Sequence, residues 1–365
     1  MKKLHRNAVH FKGLTLGLDL HKKFIEWSLM DRQGNETDLG RINSTREELE
    51  KLLARWKGQP LQVSMEACGC FVWVFDLLKE KLGRETVHVA QPSRLHVIAN
   101  SMEKNDSNDA WWLAYLLYEG RLPEAMVAEG SLRDLRVTTR ELRFYTDKRS
   151  DLLRRFKSHL AQAGQCIPKN WQASVKGRDA AQKIITQIKG ELANALQQLF
   201  NEIKHLSSAV LYWNGRIKVL SKELPATQKM QDEMPGFGTI LSATVVAELN
   251  DPKKYSNEKA YAKATGLTPG MRESGGKVQA TGISRAGSRH ARWAFTRAVL
   301  SVLRCKKGVG QRIRQWVEER AKYKPKRKII VAAARKMAEG VWRLFAWGEA
   351  FNLERAFPIK AAGAK

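Results

Sequence analysis

The chain has 365 residues, enough for two domains with substantial cores. Charged residues make up 28% and hydrophobic residues 43%, which reads as a globular chain and excludes a disordered one. Lys and Arg number 64 against 37 Asp and Glu, a formal charge of +27. Such a balance points to a polyanionic partner, nucleic acid ahead of a ribosome-associated or membrane-surface role.

The first elements read as strands. Leu14-Thr15-Leu16-Gly17-Leu18-Asp19 is an apolar run ending in an acid. Residues 24–30 and 38–42 follow as strands, separated by the turn Asp31-Arg32-Gln33-Gly34-Asn35. Ser44 or Thr45 can cap a helix running to about Trp56, with Glu47 and Glu48 placed well for its dipole. Residues 61–65 form a fourth strand that delivers Glu66 at its end. A helix over 71–82, a strand over 87–89 and a helix over 106–118 complete the region. The order βββαβαβα resembles a ribonuclease H-like fold, a mixed sheet with helices on its faces. In such sheets the chemistry sits at strand ends and adjoining loops.

The middle reads as helical. From Leu192 the apolar positions Leu196, Leu199, Ile203, Leu206, Val210, Trp213, Ile217, Leu220 and Leu224 alternate in steps of four and three, a heptad seam. The seam predicts a helical hairpin or an intermolecular coiled coil, with a turn near Ile167-Pro168-Lys169-Asn170 between two long helices. Dimerisation, or a strut between domains, would follow. Pro225 closes this region, and Met234-Pro235-Gly236-Phe237-Gly238 opens a mainly α domain. Its Pro-Gly-x-Gly turn before an apolar helix is helix-hairpin-helix-like. Gly236 and Gly238 are thus candidates for a phosphate contact, against a plain reading of close helix packing. The expected division is 1–128, 129–226 and 227–348, with a tail over 349–365.

Charge and cysteine usage narrow the partners. Residues 285–343 hold eighteen Lys and Arg against three Asp and Glu, more than half of the net charge. This segment is expected to contact phosphates with strong salt dependence. Lys322-Tyr323-Lys324-Pro325-Lys326-Arg327-Lys328 reads as a basic loop, suited to phosphate contact more than to base readout. Cys68, Cys70, Cys166 and Cys305 include no Cys-x-x-Cys pair, so zinc is not expected. The first residues are basic without a following apolar stretch, and no segment is apolar enough to span a membrane. A reducing cytoplasm is the expected compartment.

Four acids stand out: Asp19 and Glu66 at strand ends, and Asp106 and Asp109 three apart on one helix face. Hard carboxylates gathered this way suit Mg2+, with Mn2+ possible, and two such ions can activate an attacking oxygen and stabilise a leaving one. Far downstream, Arg272-Glu273-Ser274-Gly275-Gly276 sets a serine beside glycines that permit close approach of a phosphate backbone. A serine hydroxyl needs activation to attack, and Arg272, Arg285 and Arg289 could steady a phosphate beside it. Plain turn chemistry is the rival reading of Ser274, and Ser284 and Ser288 are rival serines.

These motifs resemble the insertion-sequence transposase family IS110 ("IS one-ten"). Gly17-Leu18-Asp19-Leu20-His21-Lys22, Met65-Glu66-Ala67-Cys68-Gly69 and Lys104-Asn105-Asp106-Ser107-Asn108-Asp109-Ala110 look like its DEDD motifs. Pro235-Gly236-Phe237-Gly238, Gly266-Leu267-Thr268-Pro269, Arg272-Glu273-Ser274-Gly275-Gly276, Ile283-Ser284-Arg285-Ala286-Gly287 and Arg292 look like its second domain. The resemblance runs over nearly the whole chain, in order.

It implies a RuvC-like N-terminal domain whose acids, matching Asp19, Glu66, Asp106 and Asp109, bind Mg2+. It implies a serine, matching Ser274, that forms a covalent phosphoserine link to DNA. It further implies donor and target double-stranded DNA, a noncoding bridge RNA that pairs with both, and a tetramer in which acids and serine meet between subunits. A bacterial, nucleoid-associated protein follows from the same resemblance. One departure is the Ala67-Cys68-Gly69-Cys70 run, where the family commonly has Thr-Gly and an aromatic. Two other readings stay open on the residues alone. One is a metal-dependent junction resolvase or nuclease that uses water; the other is a non-catalytic nucleic-acid-binding oligomer.

Overall fold

A computed structural model describes residues 11, 13–92, 94–95, 107–274, 277–284 and 287–359, with the backbone alone at 107–108 and 271–281. The chain divides into two compact units, 1–127 and 128–365.

In the first unit, β1 (Leu14–Leu20), β2 (Phe24–Met30) and β3 (Glu36–Asn43) form an antiparallel meander. Helix α1 (Arg46–Ala54) leads to β4 (Leu61–Glu66), and α2 (Phe71–Leu82) leads to β5 (Val87–Ala90). Both β4 and β5 run parallel to β1, giving a mixed sheet of order β3-β2-β1-β4-β5. β1 lies at its centre and is buried on both faces, hence its continuous apolar run. β3 lies at the edge and carries polar residues, which blunts further strand pairing. Thr45 caps α1, its hydroxyl accepting from the Glu48 N–H at 3.3 Å, with Glu47 and Glu48 in the first turn.

One face of this sheet is covered by α1 and α2. Leu16, Leu18, Val63 and Met65 pack with Leu49, Leu52, Phe75 and Leu78 in a continuous core. Each such side chain contributes roughly 1.5–3 kcal/mol by burial. The other face receives α3 (Ser107–Tyr118), which packs on β1, β2 and β4.

The second unit is mostly helical. Helix α4 (Gly130–Gln162) and α6 (Glu191–Lys222) lie antiparallel, with α5 (Val175–Thr186) at the far end. Leu135 and Leu142 near the start of α4 meet Val210, Ile217 and Leu220 near the end of α6. At the other end Phe156 and Leu160 meet Leu196, Phe200 and Ile203, with Trp171 stacked on Phe200 at 5.4 Å. The heptad seam is therefore used within the chain, as a helical hairpin.

Beyond it come α7 (Pro225–Glu233), α8 (Thr239–Leu249) and α9 (Glu258–Ala264). A β-hairpin of β6 (Pro269–Ser274) and β7 (Lys277–Ile283) follows, then α10 (Arg289–Val302), α11 (Val309–Ala321), α12 (Lys326–Ala346) and α13 (Leu353–Ala356). Helices α8, α10, α11 and α12 build one core around Phe295, Val299, Trp316 and Met337. Phe357 is fully buried in the same core, so the segment after α12 is packed rather than loose. No helix among the described residues is long and apolar enough to cross a membrane.

Candidate active site

The carboxylates of the first unit are set by strand register. β1 and β4 are parallel neighbours, with Gly17 opposite Ser64 and Leu18 opposite Met65. Successive strand residues alternate faces, so Thr15, Gly17 and Asp19 share one face with Gln62, Ser64 and Glu66. That is the face α3 covers. Asp19 and Glu66 thus stand together at the C-terminal ends of two adjacent central strands.

Gly17 brings the third acid in. A Cβ at Gly17 would lie 2.0 Å from the Ala110 carbonyl oxygen and 2.6 Å from the Ala114 nitrogen of α3. Only glycine lets α3 lie this close to β1. Asp109 directly precedes Ala110, so this contact seats it beside the Asp19 face. Asp106 lies outside the described residues.

The electrostatics agree with that placement. Burial pushes the Asp19 carboxyl above its ordinary range, and the charges of Asp109 and Glu26 push it further. His21 opposes them, its Nε2–H donating to Asp19 Oδ2 at 2.8 Å. Among the described residues no group of three or more His, Cys, Asp or Glu is placed to hold a metal ion, and Asp106 lies outside them. The donor set nonetheless fits a hard divalent cation: oxygen ligands on one face, with negative charge on Asp19 that a cation would relieve. The nearby Cys70 thiol is pushed up to about 11, by burial first and then by Cys68.

In the second unit Ser274 is the last residue of β6 and pairs with Lys277 of β7. The serine therefore stands at the tip of a β-hairpin, where the sequence reading placed only a glycine turn. The side chains of Arg272 and Ser274, and the whole of Gly275 and Arg285, lie outside the description.

Ser288 is accounted for differently. It caps α10, its hydroxyl donating to Glu248 Oε2 at 2.8 Å and accepting from the Ala291 N–H at 3.1 Å. A serine engaged on both sides is an anchor, which weighs against it as a nucleophile. Ser284 is exposed and ties its N–H to the Thr268 carbonyl at 2.9 Å. Arg289 is exposed at the start of α10, and Arg292 is half-buried one turn later.

Glu248 was missed by sequence reasoning. Its side chain is 1% exposed, and Arg140 of α4 grips it with Nε at 2.7 Å and Nη2 at 3.1 Å. Arg136 adds a contact at 3.7 Å. Burial alone would raise this carboxyl; the Arg140 hydrogen bonds, the charges of Arg136 and Arg140, and the Ser288 hydroxyl outweigh it and hold it below its ordinary range. The available signal was one acid inside the apolar run of α8.

The remaining candidates divide. Gly236 has φ +79°, and a Cβ there would lie 2.5 Å from the Ala298 carbonyl oxygen and 2.4 Å from the Val302 side chain. Its place in the turn is explained by close packing on α10. Gly238 caps α8 and faces open space. That space belongs to a groove of about 530 Å³ that Asp232 and Glu233 also line, which disfavours a phosphate there. Lys324 is in the α11–α12 turn, but Lys326, Arg327 and Lys328 form the first turn of α12 and not a loop. All four are exposed, and Tyr323 beside them is 86% exposed. Cations at a helix N-terminus oppose its dipole, so the positive charge here is uncompensated locally.

Two family matches cover this architecture. Residues 16–164 match a transposase domain of the DEDD type, and residues 230–314 match the family described as "Transposase IS116/IS110/IS902 family". The DEDD match implies a ribonuclease H-like fold, which the mixed sheet of the first unit fits. The chain belongs to the IS110 family of insertion-sequence transposases. Among similar proteins are the "Transposase for insertion sequence element IS1328" of Yersinia enterocolitica, 26% identical over 119 residues (33% of this chain and 36% of that protein). Another is the "Putative transposase y4pF/y4sB" of Sinorhizobium fredii (strain NBRC 101917 / NGR234), 26% identical over 144 residues (38% of this chain and 37% of that protein). The similarity spans little more than a third of these relatives' lengths.

Proposed function

We propose that this chain is a transposase that cuts and rejoins donor and target DNA. The observation that carries the reading is the seating of α3 on Gly17. That contact sets the start of α3, with Asp109, beside the strand face that carries Asp19 and Glu66, and the chain also matches the second transposase domain, which supports the reading. The net charge of +27 and the uncompensated cations opening α12 suit a nucleic-acid partner.

Asp19, Glu66, Asp106 and Asp109 would hold Mg2+, or Mn2+ in its place. The bound ion supplies Lewis-acid polarisation of a phosphate oxygen. Ser274 is the nucleophile. Its hydroxyl oxygen forms a bond to a DNA phosphorus while one bond from that phosphorus to a deoxyribose oxygen breaks. The serine proton passes through solvent to the departing sugar oxygen. The phosphoserine link keeps the phosphodiester's energy, so attack by another strand's hydroxyl rejoins DNA and releases the serine. Arg272, Arg285 and Arg289 steady the phosphate, and Lys324, Lys326, Arg327 and Lys328 contact backbone further along.

A noncoding bridge RNA would select the DNA by base pairing, as in other RNA-guided systems. A tetramer would bring the serine of one chain to the carboxylates of another. A strand-exchange assay with donor DNA, target DNA, flanking RNA and Mg2+ tests the whole. Ser274→Ala and Asp19→Ala should both abolish exchange while DNA binding persists. Cleavage retained by Ser274→Ala would instead mean that water attacks.

A further inference from the structure

Cys68 and Cys70 sit on the connection between Glu66, the last residue of β4, and α2, which Cys70 caps without a side-chain bond. Their sulfurs are 3.4 Å apart. Both thiols point to the same acceptor, the Leu20 carbonyl oxygen, each at 3.8 Å. Leu20 lies between Asp19 and His21, the residue that holds the Asp19 carboxylate. The pair thus bridges the two strand ends that carry Asp19 and Glu66. Both cysteines are half-buried, whereas Cys166 and Cys305 are exposed. Gly69 between them has nothing within 4 Å of where a side chain would stand, so the backbone of the connection is not packed in at that point.

We propose that Cys68 and Cys70 are a disulfide-forming pair, and that closing the disulfide weakens divalent-metal binding at the adjoining carboxylates. The second half rests on the metal-site reading above. The oxidant class is a small disulfide such as oxidised glutathione. The Cys68 sulfur attacks one glutathione sulfur and expels the other as a thiol. The Cys70 sulfur then attacks the Cys68 sulfur and expels the second glutathione. Two protein thiols are oxidised, one small disulfide is reduced, and both thiol protons leave on the glutathiones.

Bonding brings the sulfurs from 3.4 Å to about 2.05 Å and removes both S–H donors from the Leu20 carbonyl. The four-residue connection must tighten, and Glu66 shifts against Asp19. Disturbing the groups that orient metal ligands typically lowers affinity about tenfold or more.

The experiment uses the full chain carrying Cys166→Ser and Cys305→Ser, so that two thiols remain. Treatment with oxidised glutathione should leave no titratable thiol and an intact mass lighter by two hydrogens. Mn2+ affinity, followed by its electron paramagnetic resonance signal, should fall about tenfold and return with dithiothreitol. Adding Cys70→Ser should abolish that response. Stable glutathione adducts, or two surviving thiols, would overturn the pairing. A closed disulfide with unchanged Mn2+ affinity would overturn its link to the carboxylates. Failure of the reduced protein to bind Mn2+ would contradict the metal site and the link together. The thiol count judges the pairing in every case.

Discussion

Burial raises two carboxylates in this chain, Asp19 in the first unit and Glu248 in the second, and their surroundings then part them. Around Asp19, burial together with the charges of Asp109 and Glu26 outweighs His21, so the carboxyl ends above its ordinary range. Around Glu248, two arginines and a serine hydroxyl prevail, and it ends below. A half-buried acid held above its ordinary range by burial and by neighbouring acids is the kind of place where chemistry is found. An acid enclosed by its own cations joins helices instead: Glu248 ties α8 to α4 through Arg140 and to α10 through Ser288. On the proposed function, the same residue class serves chemistry in one unit and architecture in the other.

Neutralising each acid should separate the two roles. Asp19→Asn should lower strand cleavage by about 10³-fold or more while DNA binding persists. Its melting temperature should rise by about 1–2 °C, because an unfavourably placed charge is gone. A clear fall in melting temperature would make Asp19 structural. Glu248→Ala should do the reverse to stability. Removing it strands Arg136 and Arg140, at a cost of about 3 kcal/mol and roughly 10 °C. A thermal melt unchanged from wild type would refute the anchor.

Acid titration sharpens the contrast. The folded Glu248 carboxyl lies below its ordinary value of 4.5, so its stabilisation is complete above that pH and is lost as pH falls below it. Wild type should therefore lose melting temperature more steeply than Glu248→Ala on acidification below about pH 4.5. Asp19 has the opposite sign: its ionisation costs stability at neutral pH. The gain from Asp19→Asn should vanish at low pH, where wild-type Asp19 is itself protonated.

The smallest expected effect concerns the cations opening α12. Replacing Lys326, Arg327 and Lys328 by Ala should reduce the salt slope of DNA or RNA binding by about one per cation lost. An unchanged slope would remove that turn from the nucleic-acid surface.

Legibility in the sequence followed the range of the forces involved. β1 was readable because an apolar run ends in an acid, β4 because apolar and polar residues alternate from Leu61 up to Glu66, and α1 because Thr45, Glu47 and Glu48 announce its start. The heptad seam from Leu192 was readable because its period is local; its partner α4 was not named by it. The α5 segment at the hairpin's far end went unseen, since only one break near Pro168 was marked. β6 was missed because Pro269-Gly270-Met271-Arg272-Glu273-Ser274 has neither alternation nor β-branched residues. The Glu248 anchor was invisible because its partner Arg140 is 108 positions away. Gly17 could be noticed as a glycine in a strand, but what it admits is known only from α3.

The central claim is that acid cluster and hairpin serine act on the same phosphodiester. The most direct test is to trap the protein–DNA adduct formed with donor DNA, flanking RNA and Mg2+, digest it and locate the modified peptide by mass spectrometry. A nucleotide on Ser274, absent in Asp19→Asn, is the predicted result. Cleaved DNA without an adduct, or a nucleotide on Ser284 or Ser288, would contradict it.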